Sequence, residues 1–309
     1  MSTAATELPP GWRPCGLGSP DYPTLLRTIV DPPALAVRGE LEPGAEMIAV
    51  VGARRSSAYG EEVAYELALN LASAGMTVVS GMARGIDAAA HRGALDAGGR
   101  TVAVMGTGPD SVYPPENRVL AGSIAASGAL VTQFPVGTPA HRGNFPTRNA
   151  TISGMCVAVV VVEARRRSGA MITAGAAANQ GRTVMAVPGS VRNAASRGCH
   201  DLIRDGAHLV ASAQDILADL RGDPMLRLLD SPAEVQVRFG DGRDQVLAAL
   251  RAGSMTLDEI VAAVPGSSSD AVTAVARLRL DQEILLREGA YGLAVTRTIR
   301  NRTPPNRVV

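Results

Sequence analysis

From Glu46 to about residue 220 the sequence keeps one rhythm. A short run of valine, alanine and isoleucine leads into a turn, and a longer stretch with helical spacing follows. The strand-like runs fall at residues 47–51, 76–79, 101–105, 129–132, 156–162, 183–187 and 208–210. The helical ones fall at about 60–74, 86–97, 115–127, 170–180, 199–205 and 212–220. Short apolar runs without alternation mark strands covered on both faces. Such strands alternating with helices specify a layered, Rossmann-like α/β fold with a mostly parallel sheet. Ligands of these sheets bind beyond the carboxyl ends of the strands. Gly52, Ser80, Gly106, Gln133 and Glu163 all stand at or just after predicted strand ends, which gathers them on one edge of the molecule. With 46% hydrophobic but only 3% aromatic residues, the core is expected from Val, Ala, Leu and Ile.

Two strand-to-helix turns stand out. Val78-Val-Ser80-Gly81-Met-Ala-Arg-Gly85-Ile-Asp87 breaks a strand at Ser-Gly and re-enters an alanine-rich helix carrying His91. Backbone N–H groups at such a helix start suit an anion such as phosphate. The same glycines also serve mere tight packing. Met47-Ile-Ala-Val-Val-Gly52-Ala-Arg54 repeats the pattern, with Gly60 further on, and lacks the Gly-x-Gly-x-x-Gly spacing of dinucleotide sites. All 30 basic residues are arginine. That excludes a Walker A lysine and a Schiff-base lysine, and leaves arginine as the basic partner of any phosphate.

Net charge is +1, but its distribution is uneven. Between Ala140 and Arg204 arginines far outnumber acids, which are only Glu163 and Asp201. Residues 142–149, Arg-Gly-Asn-Phe-Pro-Thr-Arg-Asn, are read as a loop after the fourth strand. Guanidinium groups beside a ring make up the composition of a single-strand binding surface; burial of Phe145 under the loop is the other reading. The hydroxyls of Ser168 and Thr173 either cap the following helix or line a pocket. Asp87 and His91, one helical turn apart, resemble an acid–base pair, yet a helix-start Asp and a lone His are more commonly structural.

The flanks are less informative. Residues 1–45 read as an extension packing on the body, 46–222 as the α/β domain and 223–240 as a linker. Residues 241–296 show helix, helix, turn, helix and hairpin, with a capping box at Thr256-Leu-Asp-Glu259, an order that resembles a winged helix. Acids outnumber arginines between Asp241 and Ala290, which argues against duplex binding and for a protein contact. Residues 297–309 are expected to be a disordered tail. Cys15, Cys156 and Cys199 lack metal-site spacing, and the sequence shows no signal peptide and no apolar run of membrane-spanning length. The expectation is a reduced, cytoplasmic protein without metal or cofactor.

Taken in order, Gly52-Ala-Arg54, the 78–95 stretch, Ala103-Val-Met-Gly106-Thr-Gly108, Phe145-Pro-Thr-Arg148-Asn149, Ser168-Gly169-Ala-Met-Ile-Thr173 and Val187-Pro188-Gly189 closely resemble the DprA/Smf family of DNA-processing proteins. The resemblance runs from about Gly16 to about Leu220, without the longer helical N-terminal domain of many members. It implies a recombination mediator rather than an enzyme. Such a protein binds single-stranded DNA, forms a homodimer through its α/β domain and loads RecA in natural transformation or DNA recombination. It places DNA at Gly52, Arg54, Ser80, Gly81, Gly85, Arg142, Phe145, Arg148, Asn149, Ser168, Gly169 and Thr173. Thr132-Gln133 stands where members usually have Ser-Glu, and Ala150 where they often have Arg. Two alternatives stay open. A nucleotide phosphoribohydrolase of the lysine decarboxylase-like group needs Pro-Gly-Gly-x-Gly-Thr, where this chain has Pro188-Gly189-Ser190-Val191. A transcription regulator would use the winged helix.

Overall fold

A computed structural model describes residues 7–222, 242–251, 253–264, 268–280, 283–287 and 289–293. The linker read at 223–240 and the tail read at 297–309 lie outside the described residues. The chain divides into two compact units, Met1–Ile216 and Leu217–Val309.

The first unit is built on a nine-stranded sheet. In chain order it contains β1 (Trp12–Cys15), β2 (Leu35–Gly39), β3 (Met47–Val51), α1 (Ala58–Ser73), β4 (Thr77–Ser80), α2 (Ile86–Asp96), β5 (Thr101–Val104), α3 (Arg118–Ser127), β6 (Ala129–Thr132), α4 (Asn144–Met155), β7 (Ala158–Val161), α5 (Gly169–Asn179), β8 (Thr183–Ala186), α6 (Arg197–Arg204) and β9 (His208–Leu209). Helix α7 (Ala213–Arg221) straddles the division between the units. The strand order is β1-β2-β6-β5-β4-β3-β7-β8-β9, with β3 to β9 parallel and β1 and β2 antiparallel. The sheet is therefore the mostly parallel one that the alternation requires.

Every residue of β3, β4, β5, β6 and β7 is buried, because helices cover both faces. One core joins Met47, Ala49, Val51, Val159 and Val161 to Ile152 of α4 and Ala170, Ala174 and Ala177 of α5. On the other face Ala103 and Leu130 pack with Ala121 and Ile124 of α3. Burial on this scale, at about 25 cal/mol per Å² of apolar surface, is the main stabilising term. The chain runs from β3 outward through β4 and β5 to β6, then returns to place β7 against the opposite side of β3. That reversal is the topological switch point, where the loops after β3 and β7 part and leave a crevice.

One expectation is corrected and one is made specific. The segment read as a loop at 142–149 enters helix α4 at Asn144. Pro146 does not break this helix, because it falls in the first turn, where no intrahelical N–H bond is lost. The N-terminal extension adds β1 and β2 to the β6 edge of the sheet. Pro14 is accommodated because β1 is an edge strand.

The second unit contains helices α8 (Gly242–Leu250), α9 (Leu257–Ala263) and α10 (Ser268–Leu280), then an antiparallel hairpin of β10 (Ile284–Arg287) and β11 (Ala290–Leu293). Thr256 and Glu259 form both hydrogen bonds of a capping box at α9. Val246, Leu250, Ile260, Val275, Leu278, Ile284 and Tyr291 make its core.

Candidate nucleic-acid interface

A cleft of about 480 Å³ opens at the switch point. Val51 to Arg55 from the end of β3, Arg165 and Arg167 after β7, Ser168 to Ala170 at the start of α5, and one side of α4 line it. Besides α4, helices α1, α2 and α5 begin on this edge beside the cleft, and their orphan N–H groups decide where an anion is welcome.

Two of those helix starts hold a carboxylate of the protein itself. At α1, Glu163 accepts hydrogen bonds from the Ser57 N–H (2.9 Å) and hydroxyl (2.6 Å), and Ser57 in turn accepts from the Gly60 N–H. A Cβ on Gly60 would lie 2.6 Å from the Glu163 carboxyl carbon, so only glycine admits this carboxylate. At α2, buried Asp87 accepts from the N–H groups of Gly81 (3.1 Å) and Ala83 (3.2 Å). The Ser80-Gly81 turn is thus not a vacant anion site. The Ser80 hydroxyl is also engaged, donating to the Val50 carbonyl. Ser80, Gly81 and Gly85 do not line the cleft. Gly85 has φ +71°, and a Cβ there would meet the Ala53 carbonyl oxygen at 2.5 Å, so it shapes the Gly52–Arg54 loop from behind.

The third helix start, at α5, is open. Ser168 is its N-cap by backbone, but its hydroxyl makes no capping bond and is buried without a partner. Among the described residues no side chain accepts from the first-turn amides of α5. The side chains of Arg54, Arg55, Arg142, Arg165 and Arg167 are exposed around the cleft, and none forms a salt bridge among the described residues. Asp87 is the only acid in the lining, and its burial raises its pKa. The cleft is thus a cationic crevice ending on a positive helix terminus, the electrostatic form of a phosphate site.

Helix α4 supplies one wall. Asn144 donates to the carbonyls of Gly106 and Pro139, both at 3.2 Å, and fixes the helix start against the loop after β5. Phe145 is half-buried, with a Gly106 Cβ position only 3.0 Å from its ring. The Arg54 guanidinium lies over that ring, 4.3 Å from its centroid. The two residues singled out separately therefore form one cation–π layer, in a range where such contacts are worth about 0.5–2 kcal/mol. Arg142 is exposed just before the helix.

Arg148 and Asn149 hold this wall in place. Arg148 is 3% exposed and donates to the Gly81 and Val104 carbonyls, the latter at 2.6 Å, and to Asn149 Oδ1. Burial lowers its pKa to about 10, with Asp87 opposing the shift. Asn149 donates to the Gly169 carbonyl at 3.1 Å, tying α4 to the start of α5. Arg148 Nε and Nη1 and Asn149 Nδ2 thus donate within the protein. Thr173 is buried and donates back to the Gly169 carbonyl, and Gly169 lies at the cleft mouth. Gln133 accepts from the Thr151 hydroxyl of α4, and the Ala150 carbonyl accepts from Gln180. Gln133 thus bonds to the α4 wall by its side chain, whereas Ala150 contributes only its backbone carbonyl. Asp87 and His91 share no hydrogen bond: the imidazole is bonded to Thr101 instead.

Arg55, Arg165 and Arg167 also line the cleft, although the sequence reading did not single them out. The visible signal was position, since each follows a strand that borders the switch point. The groups His, Cys, Asp and Glu form no metal-type cluster among the described residues, and no described helix is long and apolar enough to cross a membrane.

A doubly wound α/β body thus carries a basic, ring-walled cleft at its switch point. Residues 14–221 match the family model of DNA recombination-mediator protein A, and the chain belongs to that family. It is 42% identical over 231 residues to Protein Smf of Synechocystis sp., covering 72% of this chain and 56% of that protein, so it spans just over half the length of this relative. The X-ray structure of DNA processing protein A from Streptococcus pneumoniae superposes with a TM-score of 0.65 at 39% identity, over 70% of this chain and 75% of that one. DNA processing protein A from Helicobacter pylori, whose single-stranded DNA binding mode has been described structurally, superposes with a TM-score of 0.62. At 24% identity, over 69% of this chain and 96% of that one, the likeness concerns the fold.

Proposed function

We propose that the chain binds single-stranded DNA in the switch-point cleft, as a recombination mediator that loads a RecA-type recombinase onto the strand. One observation carries the reading: five unpaired arginines and the open start of α5 converge on a cleft that also holds the Arg54–Phe145 layer. The arginines and α5 hold phosphates. The ring layer meets base faces, which a duplex keeps stacked and a single strand exposes. Arg148, Asn149, Gly81, Gly85 and Ser80 act by holding this surface in shape.

Titration of labelled single-stranded and duplex oligonucleotides across a salt series tests it. Arg54→Ala and Arg142→Ala are each expected to flatten the log–log salt dependence of single-strand binding by roughly 0.7, one phosphate contact each. Phe145→Ala is expected to cost about 1–3 kcal/mol with the slope nearly unchanged, because stacking releases no counterions. Since Arg54 rests on the ring, the Arg54→Ala/Phe145→Ala pair should cost less than the sum of its members. Unchanged slopes in both arginine variants would move the DNA off this cleft.

We further read the protein as a homodimer through the α/β unit and the second unit as a winged helix for protein contact. Its three buried free thiols fit the reducing cytoplasm. Light scattering is expected to give twice the 31.8 kDa chain mass, and a monomer at micromolar concentration would refute the dimer.

A further inference from the structure

Phe145 is poorly placed to receive a base alone. The Arg54 guanidinium covers one face at 4.3 Å, Arg148 stands 5.7 Å from the centroid, and Gly106 crowds the ring edge. Its aromatic neighbour, which does not line the cleft, is different. Tyr113, in the loop after β5, is 46% exposed, and its centroid lies 6.3 Å from that of Phe145 with the planes inclined at 44°. Its hydroxyl makes no hydrogen bond among the described residues, and no guanidinium is stacked on it. Arg84, nearby, is engaged with Glu116. Tyr59, the other well-exposed tyrosine of this edge, has its hydroxyl tied to the Pro188 carbonyl. Tyr113 therefore offers an exposed aromatic ring next to Phe145, just outside the arginine-lined cleft.

We propose that Tyr113 is a second base-stacking platform, taking the nucleobase next to the one met by the Arg54–Phe145 layer. The 44° inclination prevents both rings from sandwiching one base, since a sandwich needs parallel planes. Two neighbouring bases, one per ring, satisfy the geometry. The inference rests on single-strand binding in the cleft.

The test uses the full chain and oligothymidylates in which one position at a time is abasic. Tyr113→Ala is expected to weaken binding about 5- to 150-fold, the range for loss of one base–aromatic stack, without changing the salt slope. Tyr113→Phe should bind as the parent, because the ring and not the hydroxyl is required, and Tyr113→Leu, which keeps most of the volume, should behave like Tyr113→Ala. In the parent protein two adjacent abasic positions should each lower affinity. In Tyr113→Ala one of them should cease to matter. If Arg54→Ala and Phe145→Ala weaken binding while Tyr113→Ala and Tyr113→Leu do not, the second platform is wrong and the cleft reading stands. If the parent binds no single strand, both fall.

Discussion

Arg148→Met is expected to destabilise the α/β unit by roughly 3–5 kcal/mol, the cost of leaving a buried charge without its counter-charge. Asp87 and Arg148 flank Gly81, where a Cβ would lie 2.7 Å from the carboxylate and would clash with the guanidinium. They form no salt bridge within 4 Å, so their attraction acts across the turn. Removing the guanidinium takes the donor from the Gly81 and Val104 carbonyls and leaves Asp87 with only two amide partners. Asp87→Asn keeps an acceptor for those amides and is expected to cost less. In the double variant neither charge remains, so much of the loss should return, a coupling readable by denaturant unfolding of all four proteins. Additive losses would mean that the two charges do not sense each other. A functional consequence follows, because Arg148 also carries Asn149, and Asn149 ties α4 to α5. Arg148→Met should lower single-strand affinity with the salt slope kept, the mark of a positioning residue.

The class of the sheet was legible because its strands are buried on both faces and read as unbroken apolar runs. Gly52 and Arg54 were legible for the same reason, since a strand end is visible where valines stop. Helix α4 was not. Arg142-Gly-Asn-Phe-Pro has no apolar period to mark a helix, although its first turn tolerates Pro146. The fate of the helix starts was hidden for another reason. Glu163 closes α1 across 106 residues of sequence, a pairing that only the β3–β7 neighbourhood creates. Without it, the turns before α1, α2 and α5 are equivalent on paper, and the turn at Gly81 looked the best of them. The structure reverses the order, because the protein's own carboxylates occupy the first two and leave α5 open. Tyr113 gave no signal, since a single tyrosine in a loop is ordinary until its neighbour is known to be Phe145.

The fold should also lose stability in mild acid through His91, by about 3 kcal/mol between pH 6.5 and 4.5. The Thr101 hydroxyl donates to the Val78 carbonyl, so it accepts from His91 Nδ1–H at 2.7 Å. The ring is then the neutral tautomer, with Nε2 buried and unpartnered. Burial first, and the Arg148 charge second, push its pKa down to about 3 from 6.5. The unfolded chain therefore takes up a proton near pH 6.5 that the native protein refuses until about pH 3. Stability conferred by the neutral ring is complete above pH 6.5 and falls by about 1.4 kcal/mol for each unit below it. Asp87, the nearby acid on the same helix, works the other way. Its pKa is raised by burial, so its contribution is present at low pH and fades as pH rises. Comparing the parent with His91→Gln, which keeps a donor toward Thr101 and does not titrate, removes the Asp87 term from the difference. Urea midpoints measured from pH 7 to pH 4.5 should diverge, with His91→Gln gaining on the parent by the full amount at the acid end. Parallel curves would show that His91 is protonated in the fold.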